Sequence, residues 1–415
     1  MKKTAGIIAE YNPLHRGHQY HIQETRRITG ADQVIAVISG DYVQRGTPAI
    51  FDKYERTKMA LLCGADMVVE LPVEYATASA ESFALGSVTI LDALGIVTDL
   101  CFGSESGDSN LFLLASKLLS QEPELYRQNL SMHLRKGLSF PAARQEALLN
   151  FLEKDSESSF SEEDRLQLTG FLKKPNNILG IEYCKALEHI HSPIRPHTIV
   201  RKGDGYHQKQ LSKAASPYSS ASALRRCILE QRELSILSRH IPKECEDLFG
   251  KALDSPVEAQ DFSLLVHMRL LQENAATLPE YLDVSQDLAN RIQNLKNQYQ
   301  SFPQFVRLLK TRELTYTRIQ RALLHILLGI KKTPPISYIR ILGVRKESRQ
   351  LLSSLQEHCR LPMAVTPAKA LKSLPADCQE DLNFQIYVSD LYESVRCKKN
   401  QSTFCPESSR PLLVL

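Results

Sequence analysis

The stretch Ala5-Gly6-Ile7-Ile8-Ala9-Glu10-Tyr11-Asn12-Pro13-Leu14-His15-Arg16-Gly17-His18 decides the fold. Its first five residues are small or apolar and read as a buried β-strand, Ala5–Ala9. Asn12-Pro13 then turns the chain, and His15-Arg16-Gly17-His18 stands where a helix over Gly17–Thr29 begins. A helix N-terminus carries unpaired N–H groups and partial positive charge, so it attracts an anion. Gly17, having no Cβ, lets the backbone approach that anion closely. His15 and His18 bracket the glycine and can donate hydrogen bonds to phosphate oxygens as charge builds during transfer at an α-phosphate.

Outward from this turn the same rhythm recurs. Further short apolar strands are expected at Gln33–Ser39, Met67–Leu71, Asp99–Phe102 and Pro196–Arg201, with helices at Asp52–Cys63 and Glu81–Leu94. Strand-helix alternation implies an α/β fold, a doubly wound parallel sheet of Rossmann-like (HUP) type with helices on both faces. Ligands of such sheets sit at the carboxyl ends of the strands. The polar loops Glu10–His18, Ser39–Pro48 and Gly103–Asp108 are therefore where chemistry is expected. Lys154–Asp164 reads as an exposed loop or weak helix.

From about Arg232 to Lys332 strand signals vanish. Ile319, Ala322, Leu323, Ile326, Leu327 and Ile330 form one apolar helix stripe, stopped by Thr333-Pro334-Pro335. A strand-like Ile336–Val344, a helix around Glu347–His358 and an extended Pro411–Leu415 follow. The expected organisation is a catalytic α/β domain over 1–231, a helical basic region over 232–333 and a small C-terminal α/β segment over 334–415.

Length and composition agree. With 415 residues, 43% hydrophobic and 24% charged, the chain is no disordered tail, fibre or small stapled scaffold. The basic N-terminus has too short an apolar stretch for a signal peptide, and no run approaches the roughly 20 apolar residues of a membrane span. A cytoplasmic protein with no membrane partner is expected. Nine scattered cysteines, never spaced C-x-x-C, read as free thiols, and no protein-held metal site is expected. No Walker A sequence is present, which disfavours a P-loop mechanism.

H-x-G-H at this place is the signature of nucleotidyltransferases of the H-I-G-H class. Ser220-Ala221-Ser222-Ala223-Leu224-Arg225 resembles the second phosphate element of that class, with Ser222 where Thr is common. The hydroxyls of Ser220 and Ser222 and the Arg225 guanidinium, at a helix start, can hold a triphosphate from the other side. A plain N-cap followed by a surface Arg is the alternative.

The resemblance then narrows. Gly6–His21, Ser39–Ala49, Lys53–Leu61, Phe102–Glu105, Lys174–Gly180, Arg201–His207, Ser220–Arg225 and Tyr338–Gly343 are together similar to the bacterial tRNA(Met) cytidine acetate ligase family. The resemblance implies activation of acetate by ATP and transfer of the acetyl group to the wobble cytidine of elongator tRNA(Met), giving N(4)-acetylcytidine. It also implies an ATP site made of Ile7, Ile8, Ala9, Glu10, Tyr11, Asn12, Pro13, Leu14, His15, Arg16, Gly17, His18, Gln19 and Tyr20, with Gly103, Arg201 and one of Asn176 and Asn177. Asn177 is the favoured member of that pair, although either could instead cap a helix. Arg16 departs from the family, where Asn is frequent, and is read as an extra cation beside the phosphates.

The implied chemistry is physically reasonable. Acetate is ionised at neutral pH, so attack on phosphorus needs positioning and charge neutralisation rather than a general base. Mg²⁺ is expected with the triphosphate. Arg201, Arg225 and Arg45 are candidate contacts to phosphate or acyl-adenylate, Arg45 being equally well a solvated loop residue.

The net charge is only +4, but residues 301–350 hold eleven Lys or Arg against two Glu. That window suggests a polyanion surface, with Arg312, Arg318, Arg321, Lys331 and Lys332 as tRNA contacts. Arg318, Arg321 and His325 are expected on the helix side opposite the apolar stripe. No protein partner is evident. Two rival functions remain at this point: a small-molecule adenylyltransferase, and a non-catalytic tRNA-binding protein that keeps the fold.

Overall fold

A computed structural model describes residues 2–138, 140–154, 161–172, 177–202, 217–230 and 233–415. In chain order, the elements that position the site are β1 (Thr4–Ala9), α1 (Arg16–Thr29), β2 (Gln33–Ser39), α2 (Lys53–Leu62), β3 (Met67–Leu71), α3 (Ala80–Ala93), β4 (Val97–Ser104), α4 (Asn177–His189), β5 (Arg195–Val200), α5 (Ala221–Glu230), α6 (Tyr316–Leu328), β6 (Ile339–Val344), β7 (Met363–Ala364), α7 (Ala376–Asn400) and β8 (Leu413–Val414).

β2 and β3 are buried at every position because both faces of the sheet are covered. Ile35 and Val37 enter the core beneath α3, whereas the alternate residues Val34, Ala36 and Ile38 enter the core shared with α1 and α2. The strands run in the order β8-β6-β3-β2-β1-β4-β5, with β7 also on β6. β1 through β5 are mutually parallel. The chain moves outward from β1 through β2 to β3, then crosses to β4 on β1's other side, which opens a crevice at the carboxyl ends of β1 and β4.

The expected C-terminal α/β segment forms no sheet of its own. β6 pairs antiparallel with β3, and β8 and β7 pair with β6. Without β6, β3 would be a bare apolar edge with unpaired backbone groups, an arrangement that invites aggregation. The join is sealed by buried charges. Lys53 Nζ lies 2.8 Å from Glu70 and 3.1 Å from Glu407 and donates to Ser389 Oγ on α7, while Arg340 of β6 reaches Glu407 and the Tyr54 hydroxyl. Burial alone would lower the Lys53 pKa, but Glu407, Glu70 and Asp41 hold it well above the usual value.

Between Leu234 and Leu328 the described residues form helices and turns. Their core also takes in Tyr42 and Val73 from the α/β half and Val388 and Tyr392 from α7. The described part of Lys154–Asp164 is helical at both ends, in helices Phe140–Lys154 and Glu162–Leu172. All nine cysteines are free. Among the described residues no helix is long and apolar enough to cross a membrane.

Candidate active site

β1 delivers the chain to the crevice, and His15 becomes the N-cap of α1. Its Nδ1 accepts from the Gly17 N–H at 3.1 Å, and the His15 N–H donates to His18 Nδ1 at 3.2 Å. This is a capping box built from imidazoles instead of the usual hydroxyl and carboxylate. The rings stack with centroids 3.8 Å apart, and Tyr11 meets His18 edge-on. Gly17 has a second reason to be glycine, since a Cβ there would come within 2.9 Å of the His15 ring.

Proton placement follows from the caps. A ring nitrogen that accepts an N–H cannot carry the proton, so each neutral ring is protonated at Nε2 and keeps that N–H for a ligand. Both rings are neutral. Burial, with Arg201, Arg225 and His240 adding, pushes His15 down to about 3. Burial, then His15, His21 and Arg201, hold His18 well below its ordinary value.

The cleft in front of the histidines has a volume of about 390 Å³. Of the expected residues, Ile8, Ala9, His15, Gly17, His18, Tyr20, Gly103, Arg201 and Ser220 line it. The others take supporting positions. Ile7, Tyr11 and Leu14 are core residues with no exposure, and Pro13 is buried beside them. Asn12 accepts from the Ile50 N–H at 2.8 Å, and its carbonyl accepts from Arg225. Arg225 also donates to Ser222 Oγ at 3.1 Å, so this pair braces the turn.

Several expectations require correction. Arg16 does not line the cleft: its Nε donates to the Ile241 carbonyl at 3.1 Å, tying α1 to the helical region. Gln19 bonds Glu244, and Glu10 accepts from the Gln44 N–H. The Asn177 side chain is fully buried, donating to the Phe171 carbonyl and accepting from the Glu105 N–H, so it fastens α4 rather than facing the cleft. Asn176 and the stretch 203–207 lie outside the described residues. Arg45 does not line the cleft; its neighbour Gln44 does. His21, Phe102, Tyr183, Lys202 and Tyr218 also line it. Of these, His21 was within reach of a sequence reading, one helical turn beyond His18 on the same face.

The cationic window divides. Arg312 and Lys332 are exposed and Arg318 is half-buried. Lys331 pairs with Glu280 at the surface. Arg321 pairs with Asp283 at 2.8 Å, and Arg340 is interior. His325 is not on a solvated side but fully buried, with Nδ1 on the Leu282 carbonyl and Nε2 3.1 Å from Thr77 Oγ1. The cause is that α6 is wedged between the helical region and the α/β half, so it is buried all round from Ala322 to Leu328.

A doubly wound sheet whose crevice holds an imidazole-capped helix start, facing Arg201 and Ser220, defines a nucleotidyltransferase-type site. The profile described as HIGH Nucleotidyl Transferase matches residues 1–405. The tRNA(Met) cytidine acetate ligase of Acetivibrio thermocellus is 37% identical over 412 residues, covering 96% of each chain. That of Clostridium tetani is 36% identical over 406 residues, covering 95% of this chain and 96% of its own. Among solved structures, Thermotoga maritima TmcAL bound with alpha-thio ATP matches with a TM-score of 0.86 and 31% identity over the whole of both chains. Its apo form matches at 0.89 and 30% over 99% of each. The chain belongs to the tRNA(Met) cytidine acetate ligase family of HIGH nucleotidyl transferases.

Proposed function

We propose that this chain is an ATP-dependent ligase that activates acetate as acetyl-adenylate and transfers the acetyl group to the wobble cytidine of elongator tRNA(Met) in the cytoplasm. The observation that carries the reading is the neutral histidine pair at the cap of α1, each ring left with its Nε2–H, opening on a cleft large enough for a nucleotide.

In the first step an acetate oxygen attacks the α-phosphorus and pyrophosphate departs. The Nε2–H groups of His15 and His18, with the positive end of the α1 dipole and the Arg201 guanidinium, stabilise the charge that gathers on the phosphoryl oxygens. Neutral donors suit this role because they can hold phosphate without losing a proton to it. Arg225 and Ser222 act one layer back, keeping Asn12 and the turn in place. Mg²⁺ accompanies ATP as part of the substrate. Among the described residues no three His, Cys, Asp or Glu gather to hold an ion, and no step here is routed through one.

In the second step the cytosine amine attacks the mixed anhydride. The target lies in a single-stranded anticodon loop, so drawing it into the cleft costs less than from a duplex. The exposed Arg312 and Lys332, with Arg318 and Lys331, support tRNA docking. Nucleoside mass analysis of tRNA(Met) incubated with protein, ATP and labelled acetate tests the function. One labelled acetylcytidine per tRNA is expected. Incorporation of an adenylyl group into a small phosphorylated metabolite, with no tRNA product, would contradict it.

A further inference from the structure

We propose that Gln44 holds the acceptor base: its side-chain amide engages the N3–N4 edge of the target cytosine and aims the exocyclic amine at the acetyl carbon. This rests on the functional reading above and assigns a group to its second step.

The placement comes from the sheet. Gly103 and Arg201 enter the cleft from the β4 and β5 side of β1, and Gln44 enters from the β2 side. Neighbouring strands are about 4.8 Å apart, so β2 and β4 are separated by roughly 10 Å across β1. With the histidine cap between them, a nucleotide on the β4 and β5 flank leaves the β2 flank to the acceptor.

The chemistry fits one edge of one base. Cytosine presents an N4–H donor beside the N3 acceptor, and a carboxamide presents an acceptor beside a donor. Gln44 Oε1 can accept one N4–H while Nε2 donates to N3, leaving the other N4 hydrogen and the face of the amine toward the anhydride. N4 then forms a bond to the acetyl carbon as the carbon–oxygen bond to phosphate breaks. The bonding pair leaves with AMP, and the unheld N4 proton passes to water.

The loop is held in advance of any ligand. The Gln44 N–H donates to Glu10 Oε1 at 2.8 Å, and the Gly46 N–H closes the turn onto the Val43 carbonyl at 2.9 Å. Tyr42–Val43 and Thr47–Pro48 pair antiparallel as a short hairpin. At its tip Gly46 has φ +72°, and a Cβ there would stand 2.3 Å from the Arg321 backbone nitrogen, so the tip is seated against α6. Tyr42 anchors its base, packing edge-on against Phe262 and Tyr392. The Gln44 amide itself meets no hydrogen-bond partner among the described residues, so a fixed backbone carries an uncommitted amide into the cleft.

The test separates the two steps in the full-length protein. Acetate-dependent ATP–pyrophosphate exchange reports the first, and single-turnover acetyl transfer to saturating tRNA(Met) reports the second. Gln44→Ala should slow transfer about 10- to 100-fold, the cost of a misaimed nucleophile, and leave exchange within about twofold. A tRNA carrying 3-deazacytidine at the target, which lacks the N3 acceptor, should reach the reference amide poorly and show no further loss with Gln44→Ala. Unchanged transfer by Gln44→Ala overturns the proposal, and so does an equal loss of exchange and transfer. Absence of exchange in the unaltered protein would instead remove the ligase reading, and this proposal with it.

Discussion

The turn before α1 and the middle of α6 both bury histidines whose pKa is driven down by desolvation, yet their ring nitrogens are used differently. At His15 and His18 the protein takes Nδ1 for backbone capping and leaves Nε2, at the wall of an open cleft. At His325 both nitrogens are engaged, by Leu282 and Thr77, and its ring does not line the cleft in front of the histidine pair. A depressed histidine pKa therefore marks burial, and the second nitrogen decides between chemistry and structure.

The comparison can be broken by exchanging its consequences. His18→Ala should reduce acetate-dependent pyrophosphate exchange about 10²- to 10³-fold, the usual effect of losing one donor to a developing charge. Its melting temperature should fall only slightly. His325→Ala should do the reverse. Unpairing the Leu282 carbonyl and opening a cavity should cost about 2 kcal/mol in urea unfolding, with exchange per folded molecule unchanged. Exchange lost in both variants alike would erase the distinction.

The cationic window sharpens the same lesson at smaller amplitude. Arg321→Glu puts a carboxylate against Asp283 and should destabilise the fold by about 1 kcal/mol. Arg312→Glu with Lys332→Glu should leave stability alone and weaken tRNA binding. The slope of log affinity against log salt should become shallower by about one for each phosphate the variant no longer neutralises, as read by filter binding.

The pH dependence of stability follows from the cradle. Burial and Arg201 push His21 down to about 4, although its ring donates to the Cys101 carbonyl, and His15 is down to about 3. Below the unfolded value near 6.5 the unfolded chain binds protons that these folded rings refuse. Their contribution is thus intact above about pH 6.5 and is lost as pH falls toward 4, each ring adding up to about 1.4 kcal/mol per pH unit. Urea unfolding of His21→Gln should show a shallower decline over that interval.

Much of this was legible because it is local. The strands Gln33–Ser39 and Met67–Leu71 are short, mostly apolar runs, and the cradle is eight consecutive residues that follow β1. What was not legible depends on residues far apart in the chain. The pairing of β6 with β3 leaves no mark in either strand, so the C-terminal residues read as a separate segment and Arg340 as a surface charge. The side of α6 that carries His325 reads as solvated because periodicity reveals one buried face and is silent about a second neighbour. Asn177 has the composition of a ligand contact, and only its partners Phe171 and Glu105 show that it is structural. Ser39–Pro48 is legible as a site loop, but the choice of Gln44 over Arg45 is made by a turn seated on a helix nearly 280 residues downstream.

The most direct measurement is the position of the α-phosphorus in a crystal complex with a non-hydrolysable ATP analogue. The account places an α-phosphate oxygen about 2.7–3.2 Å from Nε2 of His15 or His18, with both Nδ1 atoms still accepting from the α1 backbone. An analogue seated outside this cleft, or rings turned so that Nδ1 meets the phosphate, would contradict it.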